Sequence, residues 1–272
     1  MIKFSHISLK DFIKKHNPQE PKRETIENFE KEINSLLENA PRQDDEEFQK
    51  NEINKFLKNA YGYDCNTSKK MDSAIYVDGK AWVLIEVKSL NNKTEFPKDR
   101  ENPLSKAFCQ MVFYFLKEIK NNNSLKHAII CNAHEFFLFD CKDLLSLSKD
   151  KRITKLHENC ASNEGTDPST KRFYSDLEEY LKKDFKGELR YTHFNLSSYD
   201  SKEELPLIYQ ILSHEVLLKQ KKTLDANTLN KDFYEELLYI LGLEEQNEKG
   251  KILIKQSRTQ NSLSDALKKR IQ

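Results

Sequence analysis

Apolar residues recur every three or four positions in several parts of the chain, a spacing that predicts amphipathic α-helices. Pro41 separates the first two of these helices, because proline cannot continue a helix. A longer apolar stripe near the middle of the chain predicts a third helix that packs on a core. The predicted helices cover Glu24 to Asn39, Asp44 to Ala60, Pro103 to Lys120 and Phe173 to Lys182.

Runs of β-branched and aromatic residues predict strands between these helices. Asp78-Gly79 separates the first two runs and is typical of a hairpin turn. The second run is apolar at consecutive positions, so we expect both of its faces to be covered. The resulting αββαββ order predicts an α/β fold with a mixed sheet flanked by helices. The predicted strands are Ser73 to Val77, Ala81 to Lys88, His127 to Cys131, Glu135 to Phe139 and Leu189 to Leu196.

Other parts of the chain carry weaker patterns. Residues Met1 to Arg23 give few signals, so we expect them to lie over the surface, and Cys141 to Thr170 is polar and poorly patterned. From Lys202 onward the pattern is helical only, with a stop at Gly242. We therefore predict a first domain over residues 1–200 and an all-helical C-terminal segment over residues 201–272.

Composition narrows the class of protein. The chain has 45 Lys and Arg against 44 Asp and Glu, which gives no support for the basic excess usual in nucleic-acid-binding domains. No apolar run is long enough to cross a bilayer, and Met1 to Lys15 lack the layout of a signal peptide. We expect a cytoplasmic protein without a membrane partner. The five cysteines lack metal-ligand spacing, so we expect buried free thiols.

Glu86-Val87-Lys88 closes the second strand and is the first candidate for chemistry. Side chains alternate along a strand, so Glu86 and Lys88 share one face and Val87 points to the other. Charges that follow an apolar strand are partly desolvated and need partners. The alternative interpretation is a surface ion pair on an exposed strand end, because Glu-x-Lys is common in lysine-rich proteins.

The hairpin decides whether Asp72 joins this pair. A two-residue loop would place Asp72 on the face opposite Glu86, whereas a three-residue loop with Gly79 as a left-handed bulge would place both on one face. Two such carboxylates repel unless a cation lies between them. We predict Mg²⁺ bound by Asp72, Glu86 and the Val87 carbonyl, with Lys88 activating water and neutralising charge. The alternative makes Asp72 a turn residue.

These residues resemble a known family. Met71 to Ile75 and Val83 to Ser89 resemble the PD-(D/E)XK nuclease superfamily, more specifically the N-terminal nuclease part of type IIG restriction-modification enzymes. Asp232 to Glu245 resembles the helical connector of those enzymes. The resemblance implies a restriction-endonuclease-like fold and Mg²⁺-dependent cleavage of double-stranded DNA, with Asp72 and Glu86 binding metal and Lys88 as the catalytic lysine. Further similar stretches are Glu46 to Asn51 and Lys106 to Phe108 with Tyr114 and Glu118.

The resemblance also suggests an acidic residue on the helix before the hairpin. We favour Glu46 over Glu47 because Glu46 shares the helix side of the inward apolar residues; the alternative is a first-turn acid that favours the helix dipole. Gln110 and Tyr114 are similar to a Gln-x-x-x-Tyr element of related nucleases and are expected at the DNA or the site edge, or else in solvent. Lysines that flank the candidate site in sequence are expected to bind DNA phosphates, namely Lys69, Lys70, Lys93 and Lys106.

One departure from the family concerns its other domains. The type IIG enzymes continue into a methyltransferase and a target-recognition domain, and this chain has neither an Asn-Pro-Pro-Tyr type motif nor a glycine-rich cofactor loop. The expected partners are therefore double-stranded DNA and a methyltransferase or target-recognition subunit, or domains downstream of this chain. The alternative function is a catalytically silent, nuclease-like module that binds DNA or docks on a methyltransferase.

Overall fold

The fold is described from a computed structural model, which covers residues 1–66, 73–160, 167–220, 231–248 and 251–256. The chain forms two compact units, Met1–Gln220 and Lys221–Gln272, and each is described by itself. The predicted domain boundary at residue 200 falls inside the first unit, because the two helices after it pack on the core of that unit. Within the described residues, no helix combines the length and apolarity that crossing a membrane requires.

The first unit is built on a seven-stranded mixed sheet, which confirms the predicted α/β class. The strand order is β1-β7-β6-β5-β4-β3-β2. The pairs β4–β5 and β1–β7 are parallel, and the other neighbouring pairs are antiparallel. The strands are β1 (Lys3–His6), β2 (Asp64–Asn66), β3 (Ser73–Val77), β4 (Lys80–Val87), β5 (His127–Cys131), β6 (Glu135–Asp140) and β7 (Glu188–Asn195).

Helices cover both faces of this sheet and create two cores. One core lies under α4 to α7, and the other under α1 to α3 with α8 and α9. Because both faces are covered, every residue of β5 is buried and β4 is buried from Val83 to Val87, as its apolar run predicted. The helices are α1 (Leu9–Lys14), α2 (Arg23–Asn39), α3 (Glu46–Tyr61), α4 (Lys106–Ile119), α5 (Cys141–Ser148), α6 (Lys151–Glu158), α7 (Pro168–Lys183), α8 (Glu204–Ile211) and α9 (His214–Leu217).

The N-terminal residues are part of the fold, so the prediction that they lie over the surface is wrong. β1 pairs in parallel with β7 at the sheet edge, and α1 buries Leu9, Phe12 and Ile13. Both elements are short, at four and six residues, so neither gives a periodic pattern long enough to detect. Long-range pairing with β7 stabilises them, and that pairing is not encoded locally.

The stretch after β6 also differs from its prediction, because it forms α5 and α6 rather than irregular chain. Each helix has eight residues and begins after an aspartate that caps it. Asp140 accepts from the backbone nitrogen of Lys142, and Asp150 accepts from those of Arg152 and Ile153. These aspartate caps were the available sequence signal.

The described residues of the second unit, 231–248 and 251–256, form one helix and a two-stranded antiparallel sheet. Its helix α10 (Lys231–Leu241) ends where Gly242 adopts a positive φ of 71°. The all-helical prediction is wrong beyond that glycine, because β8 (Leu243–Glu248) pairs with β9 (Lys251–Gln256). Ile252 and Ile254 are β-branched and two positions apart, which favours a strand over a helix.

Candidate active site

The turn between β3 and β4 is a two-residue loop, the first of the two alternatives for Asp78-Gly79, and not a three-residue loop with Gly79 as a bulge. Val77 pairs with Lys80, which leaves Asp78 and Gly79 as the loop. Their φ angles are 50° and 71°, the left-handed pair that a tight hairpin turn requires. Asp-Gly supplies this conformation at low cost, because aspartate tolerates it and glycine has no side chain to oppose it.

A β-bulge inside β4 supplies the change of parity that the loop does not. Tyr76 pairs with Ala81, but the next residue of β3, Ile75, pairs with Val83. Trp82 is therefore the extra residue, opposite the junction of Ile75 and Tyr76. From this point to the end of β4, each residue has shifted by one position relative to β3.

The consequence of the bulge is seen in the last described pair of the hairpin, Ser73 with Ile85. Ser73 follows Asp72 in sequence and Ile85 precedes Glu86, so each member of this pair is a sequence neighbour of a predicted carboxylate. Ser73 Oγ donates to Asn54 Oδ1 of α3 at 2.6 Å, which fixes this end of β3. Three of the predicted site residues lie outside the described residues: Lys69, Lys70 and Asp72.

Glu46, Glu86 and Lys88 meet at the end of β4, and we refer to them as the Lys88 cluster. Lys88 Nζ lies 2.8 Å from Glu86 Oε1 and 3.1 Å from Glu46 Oε1. The side chains of Lys88 and Glu86 are each 2% exposed, whereas Glu46 is 40% exposed. The backbone nitrogen of Lys88 donates to Cys131 O at 2.9 Å, which holds the lysine on β5. One ammonium group therefore bridges two carboxylates from different elements.

Side chains alternate between the two faces of the sheet along β4, so the Val87 side chain lies on the face opposite Glu86. Val87 packs in the core under α1 to α3, whereas Leu84 packs in the core under α4 to α7. Glu86 is two positions from Leu84 and so belongs to the latter face. Its negative charge also acts on Cys131, whose thiol pKa is raised by burial and, second, by Glu86. A charged thiolate is thus disfavoured beside the cluster.

The first turn of α3 carries Glu46 to the cluster. Asp45 caps the helix by accepting from Phe48 N at 2.7 Å, so Glu46 is the first helical residue. Its neighbour Glu47 forms an ion pair with Lys50 instead. Of the two glutamates that the sequence left open, Glu46 is the one in contact with Lys88.

Gln49 connects α3 to the loop after β4, and sequence reasoning missed it. This side chain is 1% exposed. Its Oε1 accepts from Leu90 N at 2.8 Å, and its Nε2 donates to Gln43 O at 3.0 Å. Gln49 follows Glu46 by three residues, so one helix face contacts both Lys88 and the backbone two residues after it. That spacing was the only local signal.

A third acidic side chain, Glu95, lies close to the cluster and was also missed. It forms an ion pair with Lys106, the first residue of α4. Burial alone would raise the pKa of Glu95, but the hydrogen bond and charge of Lys106, together with the charge of Lys88, lower it below its ordinary value. Lys106, predicted to contact phosphate, is therefore engaged by a carboxylate. The carbonyl of Glu95 also accepts from Ala107 N at 3.0 Å.

Gln110 and Tyr114 lie one turn apart on α4 and are both half-buried. Tyr114 packs against the core and its ring contacts Phe113 edge to face at 5.4 Å between centroids. Gln110 Oε1 is buried and has no hydrogen-bond partner among the described residues. A buried amide oxygen of this kind is costly without a donor, which distinguishes Gln110 from an ordinary solvent-facing residue.

The described fold is a mixed α/β sheet between helical layers, with a lysine-bridged pair of glutamates at the end of β4. Residues 7–225 match the family described as a domain of unknown function, DUF7149, and the chain belongs to that family. Residues 226–272 match a second one, described as a domain of unknown function, DUF7814. No curated protein matches the chain, and no solved structure does. Neither description names an activity, so the resemblance to the PD-(D/E)XK superfamily stays a prediction.

Proposed function

We propose that the chain is a metal-dependent endonuclease that hydrolyses phosphodiester bonds of double-stranded DNA in a restriction-modification system. The observation that carries the proposal is the Lys88 cluster, in which Lys88 Nζ contacts both Glu46 and Glu86. The hairpin supports it, because the bulge at Trp82 brings Ser73 opposite Ile85, the residues that adjoin Asp72 and Glu86 in sequence.

The burial of the cluster argues for a role in chemistry rather than in stability. Glu86 and Lys88 are almost completely buried, and taking two charges out of water costs several kcal/mol per ion before their attraction offsets it. Apolar residues of similar size at such positions are often as stabilising or more so. Buried ionisable groups gathered at a strand end are typical of functional sites.

The donor set of the cluster fits Mg²⁺. Two carboxylates share one ammonium, which leaves a negative charge, and carboxylate oxygens are the ligands that Mg²⁺ prefers. Among the described residues there is no group of three acidic, histidine or cysteine side chains that could hold a metal, so the proposal needs Asp72. The proposed ligands are Asp72, Glu86 and the Val87 carbonyl, with Glu46 as the helix acid. Bound Mg²⁺ supplies charge stabilisation on phosphate and a more acidic water.

Lys88 acts on the attacking water and on the phosphate charge in this proposal. Its ammonium is held by Glu46 and Glu86, so its position is fixed before substrate binds. From there it orients the attacking water and neutralises the charge that develops on the phosphate. The proposed DNA contacts are Gln110, Tyr114, Lys69 and Lys70.

The test compares cleavage of supercoiled plasmid DNA with Mg²⁺ by the unchanged protein and by Lys88→Ala and Glu86→Gln. We expect each substitution to slow cleavage at least about 100-fold, since Lys88→Ala removes the group that acts on water and phosphate and Glu86→Gln removes a proposed metal ligand. Lys171→Glu is the matched control, because Lys171 is an exposed residue of α7. Equal cleavage by all four proteins would remove the site assignment. DNA retention in a gel shift without any cleavage would favour the catalytically silent module.

A further inference from the structure

A cavity of about 480 Å³ lies beside the loop that follows the Lys88 cluster, and nothing above gives it a role. Its lining begins at Leu90, two residues after Lys88, and includes Asn132, after which we call it the Asn132 cavity. Pockets for small organic ligands and cofactors have volumes of roughly 300–1,000 Å³. The volume therefore suits one ligand of nucleotide size.

The sheet topology places the Asn132 cavity and the Lys88 cluster at one end of the strands. β4 and β5 run parallel and finish together, with Val87 paired to Cys131. Lys88 follows the first of these strand ends and Asn132 follows the second. The crevice beyond the carboxyl ends of neighbouring parallel strands is a usual ligand site in α/β proteins. A ligand here would lie next to the proposed cleavage site.

One wall of the cavity is apolar and held in place. It is formed by Leu90, Phe96 and Pro97, of which Phe96 is 6% exposed. The Phe96 ring packs edge to face on Phe137, with 5.8 Å between centroids. The backbone nitrogen of Leu90 donates to Gln49 Oε1, which holds Leu90 in place. A fixed apolar wall of this kind favours a flat aromatic ligand over a flexible chain.

The facing wall offers polar groups that the fold leaves available. Asn132 Oδ1 accepts from the backbone nitrogens of His134 and Glu135, both at 2.8 Å. Its Nδ2 has no acceptor among the described residues, although Asn132 is 7% exposed. Burial lowers the pKa of His134, so its ring is neutral at neutral pH and has one donor and one acceptor nitrogen. This combination can form hydrogen bonds with the edge of a nucleobase.

The rim of the cavity supplies positive charge. Lys93 and Lys98 are exposed lining residues, and neither forms an ion pair with a described carboxylate. Glu135 is the acidic lining residue, but Arg100 binds it, with Nη2 to Oε1 at 2.9 Å, and His193 Nε2 lies 3.5 Å from the same oxygen. Its charge is thus largely compensated within the fold. The two lysines are left to bind an anionic group such as a phosphate.

We propose that the Asn132 cavity binds one nucleotide, with the base against Phe96 and Pro97 and the phosphate at Lys93 and Lys98. Two sources share this chemistry. One is a free nucleoside monophosphate, and the other is a nucleotide turned out of the DNA that the Lys88 cluster is proposed to cleave. Only the second source rests on the proposed function.

The experiment follows the fluorescence of 2-aminopurine, which changes when the base leaves or enters a stack. The full chain is titrated first with 2-aminopurine deoxyriboside monophosphate and then with a duplex that contains 2-aminopurine. Lys88→Ala is used in the duplex arm so that cleavage does not interfere. The cavity variants are Lys98→Glu, His134→Ala and Asn132→Asp, the last of which keeps the Oδ1 acceptor that holds the turn. Circular dichroism checks that each variant folds, and Lys171→Glu is the charge-matched control.

We expect saturable binding in at least one arm, weakened about tenfold or more by each cavity variant, as loss of one hydrogen bond or of one positive charge implies. The control should bind like the unchanged protein. Saturation with the free monophosphate alone supports a free-nucleotide site, and saturation with the duplex supports a DNA subsite. The proposal is overturned if the 2-aminopurine fluorescence shows no saturable change in either arm. It is also overturned if folded cavity variants give the same change as the unchanged protein. If the unchanged protein does not cleave plasmid DNA but still binds the free nucleotide, the proposed nuclease function is removed and the proposal for the Asn132 cavity stands.

Discussion

Two charged clusters at opposite ends of β5 use the same kinds of side chain in opposite proportions. At the end of β5, the Lys88 cluster places one ammonium between two carboxylates. At its start, beside His127, Asp140 lies between two ammonium groups, with Oδ2 at 3.3 Å from Lys15 Nζ and Oδ1 at 2.7 Å from Lys219 Nζ. We call the second set the Asp140 cluster.

The difference in charge separates a structural cluster from a candidate site. Asp140 uses both oxygens on lysines and also caps α5, so both oxygens are engaged within the fold. Burial alone would raise the pKa of Asp140, but the hydrogen bond from Lys219 and further positive charge hold it well below its ordinary value. The Lys88 cluster has an excess of negative charge instead. An excess of carboxylates attracts a cation. A carboxylate whose oxygens are both bound by lysines instead holds together the chain segments that carry them.

The largest effect is expected from breaking the Asp140 cluster. Asp140→Ala leaves Lys15 and Lys219 without their shared partner and removes the α5 cap, so the free energy of unfolding should fall by about 3 kcal/mol. Urea denaturation measures this change. Asp143→Ala, in the same helix, removes only an ion pair with the exposed Arg190 and should cost about 1 kcal/mol or less. Similar losses for the two variants would contradict the structural role.

A smaller effect should distinguish the Lys88 cluster by its response to Mg²⁺. A ligand at ten times its Kd stabilises the folded state by about 1.4 kcal/mol, so Mg²⁺ should raise the melting temperature of the unchanged protein. Glu86→Gln removes a proposed ligand and should abolish this increase, whereas Asp140→Asn should keep it. Thermal unfolding with Mg²⁺ or with EDTA measures the shift. An equal increase in the Glu86 variant would mean that the ion binds elsewhere.

The smallest effect concerns pH at the Asp140 cluster. Burial first, and then the charge of Lys219, lower the pKa of His127 to about 3, although Asp140 opposes this. His127 Nδ1 lies 2.7 Å from Leu217 O and so donates to it. The unfolded chain takes up the proton near pH 6.5 and the folded protein does not, so stability falls as pH drops below 6.5. From pH 6.5 to pH 5.5 the loss is about 1 kcal/mol.

His127→Asn tests this dependence, because its amide can replace the Nδ1 donor without titrating. Urea denaturation measures the free energy of unfolding at pH 6.5 and at pH 5.5. The decrease between these pH values should be about 1 kcal/mol smaller in the variant than in the unchanged protein. His16 contributes to the same window, since burial and the charge of Lys15 lower its pKa to about 4. The variant should therefore keep part of the slope. An unchanged slope would mean that His127 titrates normally in the folded protein.

The central strands β4 and β5 and the helix α4 were predictable because their patterns are long and local. β4 and β5 are apolar at consecutive positions, and α4 carries an unbroken stripe. The continuous apolar run that made β4 predictable also concealed the bulge at Trp82. A strand that is buried on both faces has no polar alternation, so a shift of one residue leaves no trace in its sequence.

The candidate site was predictable only where its residues are neighbours in sequence. Glu86 and Lys88 share a strand face by simple alternation. The contact of Glu46 with Lys88 spans 42 positions and depends on how α3 packs, so a helix wheel could only suggest it. Gln49 and Glu95 gave no recognisable motif, because a buried glutamine and a loop glutamate acquire their roles from the backbone and charges around them.

The bulge makes the length of β4 matter more than the chemistry of its extra residue. A different side chain at Trp82 would change local packing, which includes a contact with Lys126 above the ring at 4.9 Å. Deleting a residue of β4 after the bulge, between Val83 and Glu86, would instead put every later residue of β4 out of step with β3, while the Asp-Gly turn stayed intact. In evolution, this strand should therefore tolerate substitution at position 82 and reject in-frame deletion between Val83 and Glu86.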